Sequence, residues 1–190
     1  MFTHMLPALR MLVVLSVLTG VAYPLLVTGI AQFAFPWRAN GSLVVVDQKV
    51  VGSELVGQPF SDPKYFWSRP SATAPQPYNA AASSGSNAGA RNPALAEAVA
   101  GRAKALREAD PEASLPVPAD LVTASASGLD PHISVAAADY QVRRVAKARG
   151  RAPGEIRALV GRHTEAPTFG LLGEKRVNVL RLNLDLDRRK

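Results

Sequence analysis

Cysteine is absent from the 190 residues, and histidine occurs only three times. The first absence excludes a disulfide framework, a thiolate metal site and a cysteine nucleophile. It does not fix the compartment, because a reducing cytosol and a cysteine-free exported domain both fit. The second leaves no zinc cluster: His4, His132 and His163 lie far apart, and zinc wants three or four ligands at compatible spacing. There is no Gly-x-x-x-x-Gly-Lys-Ser/Thr phosphate loop and no Gly-x-Gly-x-x-Gly turn. An Asp-Lys-Thr-Gly-Thr phosphorylation sequence is also missing, so nothing here forms a phosphoenzyme. Aromatic residues are scarce, at 6%. Acidic residues are outnumbered, 15 against 22 basic ones, for a net charge of +7. That excess suits nucleic acid, anionic lipid or an acidic partner and does not choose among them. The length allows one folded domain with an appendage and excludes a complete ATP-driven pump. With 47% apolar and 19% charged residues, the chain is not a disordered one.

The strongest positive feature is near the start. No charged side chain occurs from Met11 to Phe35, a run bracketed by Arg10 and Arg38. A bilayer core of roughly 30 Å needs about 20 apolar residues in a helix, so the run is long enough to cross with tilt to spare. Pro24, near its middle, predicts a kink. Gly20 and Gly29, with Ser16, Thr19, Ala22 and Thr28, permit close approach by other helices. A cleaved signal peptide is the rival, but bulky Phe33, Phe35, Pro36 and Trp37 stand where a small-x-small cleavage site would follow. Residues 1–10 then form a short cytoplasmic end, 11–35 a membrane helix and 36–190 an extracytoplasmic domain. Charge alone biases this orientation weakly.

Beyond the membrane, Leu43–Val46 and Val50-Val51 read as a hairpin around Asp47-Gln48-Lys49. The stretch 58–92 is rich in Pro, Ser, Ala, Asn and Gly, the composition of a linker. Yet Phe60, Tyr65, Phe66, Trp67 and Tyr78 fall in it. Flexible linkers are poor in aromatics, so this segment is expected to be an ordered, packed loop. Asn92-Pro93 opens a helix that stops near Asp110-Pro111, with Leu95, Val99 and Leu106 as its apolar stripe. Ser134 caps a second, which carries Val135, Val142 and Val145 and ends at Gly150. A third runs from Pro153 or Gly154 to about His163, with Ile156, Leu159 and Val160 inward. At the C-terminus Leu180, Leu182, Leu184 and Leu186 alternate with polar residues, which predicts a strand. The fold class is therefore one N-terminal transmembrane helix followed by a small α/β (α+β) domain.

Candidate chemistry is thin. Ser83-Ser84-Gly85-Ser86 with His132 and Asp130 could supply a hydrolase triad, making the chain a membrane-anchored extracytoplasmic hydrolase. No Gly-x-Ser-x-Gly elbow supports it. The serine- and glycine-rich stretch could equally form turns that bond the backbone or present N–H groups to an anion. His163 and Glu165 form a possible metal pair, set against a histidine meeting a helix end. Arg143, Arg144, Lys147, Arg149 and Arg151 read as a solvated basic face, or one that meets lipid headgroups or an acidic partner. Nucleic-acid binding is disfavoured, because no aromatic platform accompanies these cations.

Four long segments, in order, carry a resemblance: YPLLVTGIAQFAFPWRANGSL at 23–43, GQPFSDPKYFWSRPSATAPQPYNAAASSGSN at 57–87, LVTASASGLDPHIS at 121–134 and RVNVLRLNLDLD at 176–187. Together they resemble the C subunit of the bacterial Kdp-type potassium-transporting P-type ATPase, from about Leu6 to Asp187. Two departures are Arg143, where proline is expected in many relatives, and Asp130-Pro131-His132. The resemblance implies a non-catalytic accessory subunit in the bacterial inner membrane. Its partners would be a potassium-channel-like subunit, a P-type ATPase subunit, a small single-span subunit and membrane lipid. It also implies a catalytic chaperone that assembles the complex and raises the ATPase subunit's affinity for ATP. No cofactor would be held firmly, and ATP would be engaged only through the complex. An outside domain and cytoplasmic ATP favour long-range coupling over direct contact. On that account the helix packs on the channel-like subunit through Gly20, Pro24 and Gly29, and the domain caps its outer mouth. The expected contact is Tyr65, Phe66, Trp67, Arg69, Tyr78, Asn79, Ser84, Gly85 and Asn87.

Overall fold

A computed structural model describes residues 4–188; the ends of the 1–10 and 36–190 segments, residues 1–3 and 189–190, lie outside the described residues. The chain divides into two compact units, Met1–Val51 and Gly52–Lys190.

The first unit is dominated by one continuous apolar rod, Met5–Ala34, with a mean hydropathy of 2.1 and none of that window buried. It is long and apolar enough to cross a membrane. It consists of α1 (Met5–Val17), a π-helical turn (Leu18–Ala22) and α2 (Tyr23–Ala34). Pro24 has no N–H to offer the turn before it. The ladder widens there, and Tyr23 N–H donates to the Leu18 carbonyl five residues back. The expected disturbance at Pro24 thus takes the form of a π turn. Gly20 and Gly29 face open space: an added Cβ at either meets nothing within 4 Å. A short α3 (Pro36–Ala39) follows, then β1 (Leu43–Val46) and β2 (Lys49–Ser53). The hairpin turn holds two residues rather than the expected three, with Asp47 at φ 47° and Gln48 at φ 63°. Two left-handed residues give a turn whose twist matches that of paired strands, and Lys49 joins the strand.

The second unit contains α4 (Pro93–Ala109), α5 (Ala119–Val122), β3 (His132–Ser134), α6 (Val135–Arg149), α7 (Pro153–Arg162), β4 (Thr164–Glu165), β5 (Arg176–Asn178) and α8 (Val179–Arg188). Its sheet has the order β3-β5-β4, antiparallel throughout, with Ile133 opposite Val177 and Thr164 opposite Val177. The helix signals held. Asn92 Oδ1 accepts from Ala94 N–H at 3.0 Å and Ser134 Oγ from Ala137 N–H at 3.0 Å, and Gly150 closes α6 at φ 62°. Ser134 is itself held by Asp120, which accepts from its N–H at 2.7 Å and its hydroxyl at 3.1 Å. The core gathers Ile133 and Val177 from the sheet, Ala137, Val142 and Val145 from α6, Ile156, Leu159 and Val160 from α7, and Leu182 and Leu186 from α8, around Phe66.

The C-terminal strand was the wrong expectation. Residues 179–188 are helical, with Val179, Leu180, Leu182, Asn183 and Leu186 buried. That set recurs at three- and four-residue spacing, the period of one helix face. The alternating leucines imitate period two only while the buried Asn183 is counted as polar and outward.

Between β4 and β5 the chain makes a tight turn. Thr168 N–H donates to the Leu172 carbonyl at 2.9 Å and Leu172 N–H to the Thr168 carbonyl at 3.0 Å, while Gly170 N–H reaches the Pro167 carbonyl at 2.9 Å. Phe169 (φ 56°), Gly170 (φ 74°) and Gly173 (φ 81°) are left-handed.

Candidate functional site

The aromatic-rich segment is ordered and packed, as its composition suggested. Two buried carboxamides hold its backbone at consecutive residues. Asn183, on α8, accepts from Phe66 N–H at 2.9 Å and donates to the Phe66 carbonyl at 2.9 Å. Gln141, on α6, accepts from Trp67 N–H at 2.7 Å and donates to the Trp67 carbonyl at 3.1 Å. Each side chain supplies the donor and acceptor that a neighbouring strand would supply. The pairing lets an irregular backbone sit in the core without orphaned groups.

Arg144 completes the clamp. It is 5% exposed, and it donates to the Pro63 carbonyl at 2.6 Å, the Tyr65 carbonyl at 3.0 Å and Gln141 Oε1 at 2.6 Å. Its guanidinium lies 3.9 Å from the Trp67 ring centre, a cation–π contact strengthened by removal from water. Burial lowers its pKa to about 10, against the pull of Asp110, Asp62 and Tyr140, so it stays charged at neutral pH. Arg149 donates to the Lys64 carbonyl at 2.8 Å and to Asp187 at 2.8 Å, and Tyr65 hydroxyl donates to the same Asp187 at 2.8 Å. Arg143 forks onto Asp110 at 2.6 Å. The expected basic face is corrected in part: Arg144 is buried and Arg149 largely so, Arg143 and Arg151 pair with Asp110 and Glu155 while partly exposed, and Lys147 faces solvent.

Farther along, Arg69 pairs with Asp130 at 2.9 Å, and the Tyr78 hydroxyl donates to the Arg69 carbonyl. Burial works to raise the Asp130 carboxyl. Hydrogen bonds from the His132 ring and backbone N–H and from Arg69 outweigh it and hold the group at about 2. Burial pushes the Tyr78 phenol up. Gly57 is required where this strap begins: a Cβ there would lie 2.4 Å from the Tyr78 ring and 2.6 Å from the Asp130 carbonyl. Asn79 donates to the Ala74 carbonyl at 3.0 Å, closing the turn around 74–79. The 83–87 stretch then runs beside 125–128. Ser84 N–H donates to the Ser127 carbonyl at 3.0 Å, and a Cβ on Gly85 would meet the Ala126 carbonyl at 2.7 Å.

The nine expected contact residues thus fall into three groups. Phe66 is fully buried and belongs to the core, while Tyr65, Trp67, Arg69, Tyr78, Asn79 and Gly85 are half-buried; Ser84 and Asn87 are exposed. The candidate triad is not gathered. Ser84 Oγ donates to the Gly85 carbonyl at 3.2 Å. His132 faces Asp130 at 3.5 Å on one side and Glu165 at 3.8 Å on the other, and Glu165 pairs with Arg176 at 3.1 Å. Arg69, Asp130, His132, Lys175 and Arg176 line an open hollow of about 290 Å³ that carries both signs of charge. His163 caps α7 and meets Asp185 at 3.0 Å. Among the described residues, no group of three His, Asp or Glu side chains could hold a metal. Sequence reading missed Gln141 and Asn183 and took Arg144 for a surface cation, because a clamp residue has no local signature when its partner lies 74 to 117 positions away.

Comparison with known proteins matches residues 5–188 to the family described as "K+-transporting ATPase, c chain". Similar proteins include the potassium-transporting ATPase KdpC subunits of Sorangium cellulosum, 65% identical over 98% of both chains, and of Dechloromonas aromatica, 61% identical over 98% of both. The KdpC subunit of Herpetosiphon aurantiacus is 61% identical over the whole of this chain and 98% of its own. A span-length apolar helix, a clamped aromatic loop and end-to-end similarity converge: the chain belongs to the KdpC family, the accessory c-chain subunits of the potassium-transporting ATPase.

Proposed function

We propose that this subunit is non-catalytic, and that it assembles an ATP-driven potassium importer and raises the ATP affinity of the importer's P-type ATPase subunit from a distance. On this reading the N-terminus is cytoplasmic, the Met5–Ala34 helix is anchored in the bacterial plasma membrane, and the Gly52–Arg188 unit is extracytoplasmic. The helix packs through Gly20, Pro24 and Gly29 against the channel-like subunit. The outer unit caps the channel-like subunit through the exposed stretch that ends at Ser84 and Asn87.

The observation that carries this reading is the clamp on 63–67. It gives the exposed residues downstream a rigid base, and a pre-shaped surface binds at lower ordering cost than a flexible one. The helix is the second support, since a family of transporter subunits with one span-length segment has an evident use for it as an anchor. Distance is no obstacle to an effect on ATP. A tenfold affinity change needs only about 1.4 kcal/mol of coupling. ATP is then engaged only by the ATPase subunit, and no cofactor is held firmly here.

The test is nucleotide crosslinking on the assembled complex in sealed vesicles of known sidedness, with an azido-ATP analogue offered to one face at a time. The expected result is label confined to the ATPase subunit, from the cytoplasmic face, with ATP affinity at least tenfold weaker in complexes lacking this chain. Label on this chain from the cytoplasmic face overturns the topology and the long-range mechanism together.

A further inference from the structure

The turn at 167–173 presents its large apolar side chains to solvent. Phe169 is 90% exposed, Leu171 86% and Leu172 64%. Three neighbouring side chains of this size in water are unusual for a folded surface and mark a place where something else binds. The backbone beneath them is fixed. The paired Thr168–Leu172 bonds and the Gly170–Pro167 bond brace the turn. Phe169 adopts φ 56° to stand outward, a conformation that costs a non-glycine residue free energy. A braced tip with a strained aromatic at its apex is a knob, preformed for a recess.

The charge around the tip selects the occupant. From Ala166 to Lys175 the only charged residues are Glu174 and Lys175, of opposite sign. Interfacial lipid-binding segments add clustered Lys and Arg to their apolar residues, and this one has no such excess. A neutral knob of Phe and Leu fits an apolar recess in a protein, where buried aromatic and aliphatic anchors supply most of an interface's affinity. We propose that the 167–173 turn is a docking knob, seated in an uncharged apolar recess on the extracytoplasmic face of another subunit of the same transport complex. The proposal rests on the accessory-subunit reading above. It adds a second contact, on a different segment from the 65–87 strap.

The absence of native cysteine makes the test clean. Phe169→Cys is placed in the full chain, produced with its partner subunits in native vesicles, and carries a photoactivatable maleimide. The expected result is an adduct to another subunit of the complex. In parallel, the double variant Phe169→Asp/Leu171→Asp should lower co-purification of partner subunits at least tenfold. Its thermal melt as an isolated chain in detergent should stay that of the parent, since the altered side chains touch solvent only. An adduct to lipid alone overturns the proposal in favour of the bilayer, and an adduct to a second copy of this chain overturns it in favour of self-association. Undiminished co-purification of the double variant, with no adduct to a partner, also overturns it. If the parent chain fails to co-purify with any partner, the accessory-subunit reading falls as well. If the parent co-purifies and only the knob experiments fail, that reading stands and the knob alone is lost.

Discussion

Two irregular segments of the Gly52–Arg188 unit answer opposite descriptions. The 58–92 strap is rich in Pro, Ser and Asn, yet Phe66 is fully buried and the backbone on both sides is hydrogen-bonded into the helices. The 167–173 turn is short and apolar, yet its side chains stand in water. The strap's bulk composition is that of a linker, and only its aromatic residues foretell the packing it has; the turn's large apolar side chains would ordinarily be buried. The difference lies in who satisfies the backbone. The strap borrows Asn183, Gln141 and Arg144 from distant helices, which lets its aromatic residues enter the core. The turn satisfies its own main chain internally, which leaves its side chains free to face outward.

The contrast can be broken at its strongest point first. Phe66→Ala removes a fully buried ring from the centre of the core and should cost about 3–5 kcal/mol. Guanidinium unfolding of the full chain in detergent, followed by circular dichroism, would read it; a loss below about 1 kcal/mol would mean the strap is only laid against the core. Asn183→Leu keeps volume but strands the Phe66 N–H and carbonyl, and should cost about 2–4 kcal/mol by the same measurement. Phe66→Leu, with the carboxamide pair intact, should cost clearly less than either.

A third prediction concerns acid. Asp130 is held at about 2 against a free value of 3.8. A depressed carboxyl stabilises the fold fully above its unfolded pKa and loses that contribution as pH falls through the folded value. The contacts of Asp130 with His132 and Arg69 should therefore lose about 1–2 kcal/mol between about pH 4 and pH 2. In Asp130→Asn this part of the pH dependence should vanish. The smallest effect is expected at the turn, where Phe169→Ala should move the unfolding midpoint by less than about 0.5 kcal/mol, as for other exposed sites. A larger loss there would mean that Phe169 supports the fold.

Local signals in the sequence were read well wherever the determining contacts are local. The Asn92 and Ser134 caps, the Gly150 stop and the apolar run before Phe35 each act within a turn or a single helix. The strap was legible as ordered, because aromatic residues are costly to leave in a tether. How it is held was not legible, since the holders are a glutamine, an asparagine and an arginine on other elements. The same fact explains the C-terminal misreading: Asn183 looks like a solvent residue and serves as a core one. The expected basic face failed in part, for a parallel reason. Arg144 and Arg149 are long enough to reach backbone carbonyls across the packing interface, and sequence spacing records position but not reach. The outward turn of Phe169, Leu171 and Leu172 has no local sequence signal, because it is the closed Thr168–Leu172 bridge that sets it.

The clamp also imposes an order on manufacture. A ribosome delivers residues 63–67 well before it delivers Gln141, and earlier still before Asn183, which stands 117 positions downstream of Phe66. Until α8 has left the ribosome the strap lacks its second carboxamide, and its aromatic side chains have no completed interior to enter. A nascent chain halted short of residue 183 would thus expose a sticky, half-tethered strap beside an already inserted anchor. Closure of the unit therefore waits on the synthesis of α8, whose Asn183 supplies the second carboxamide.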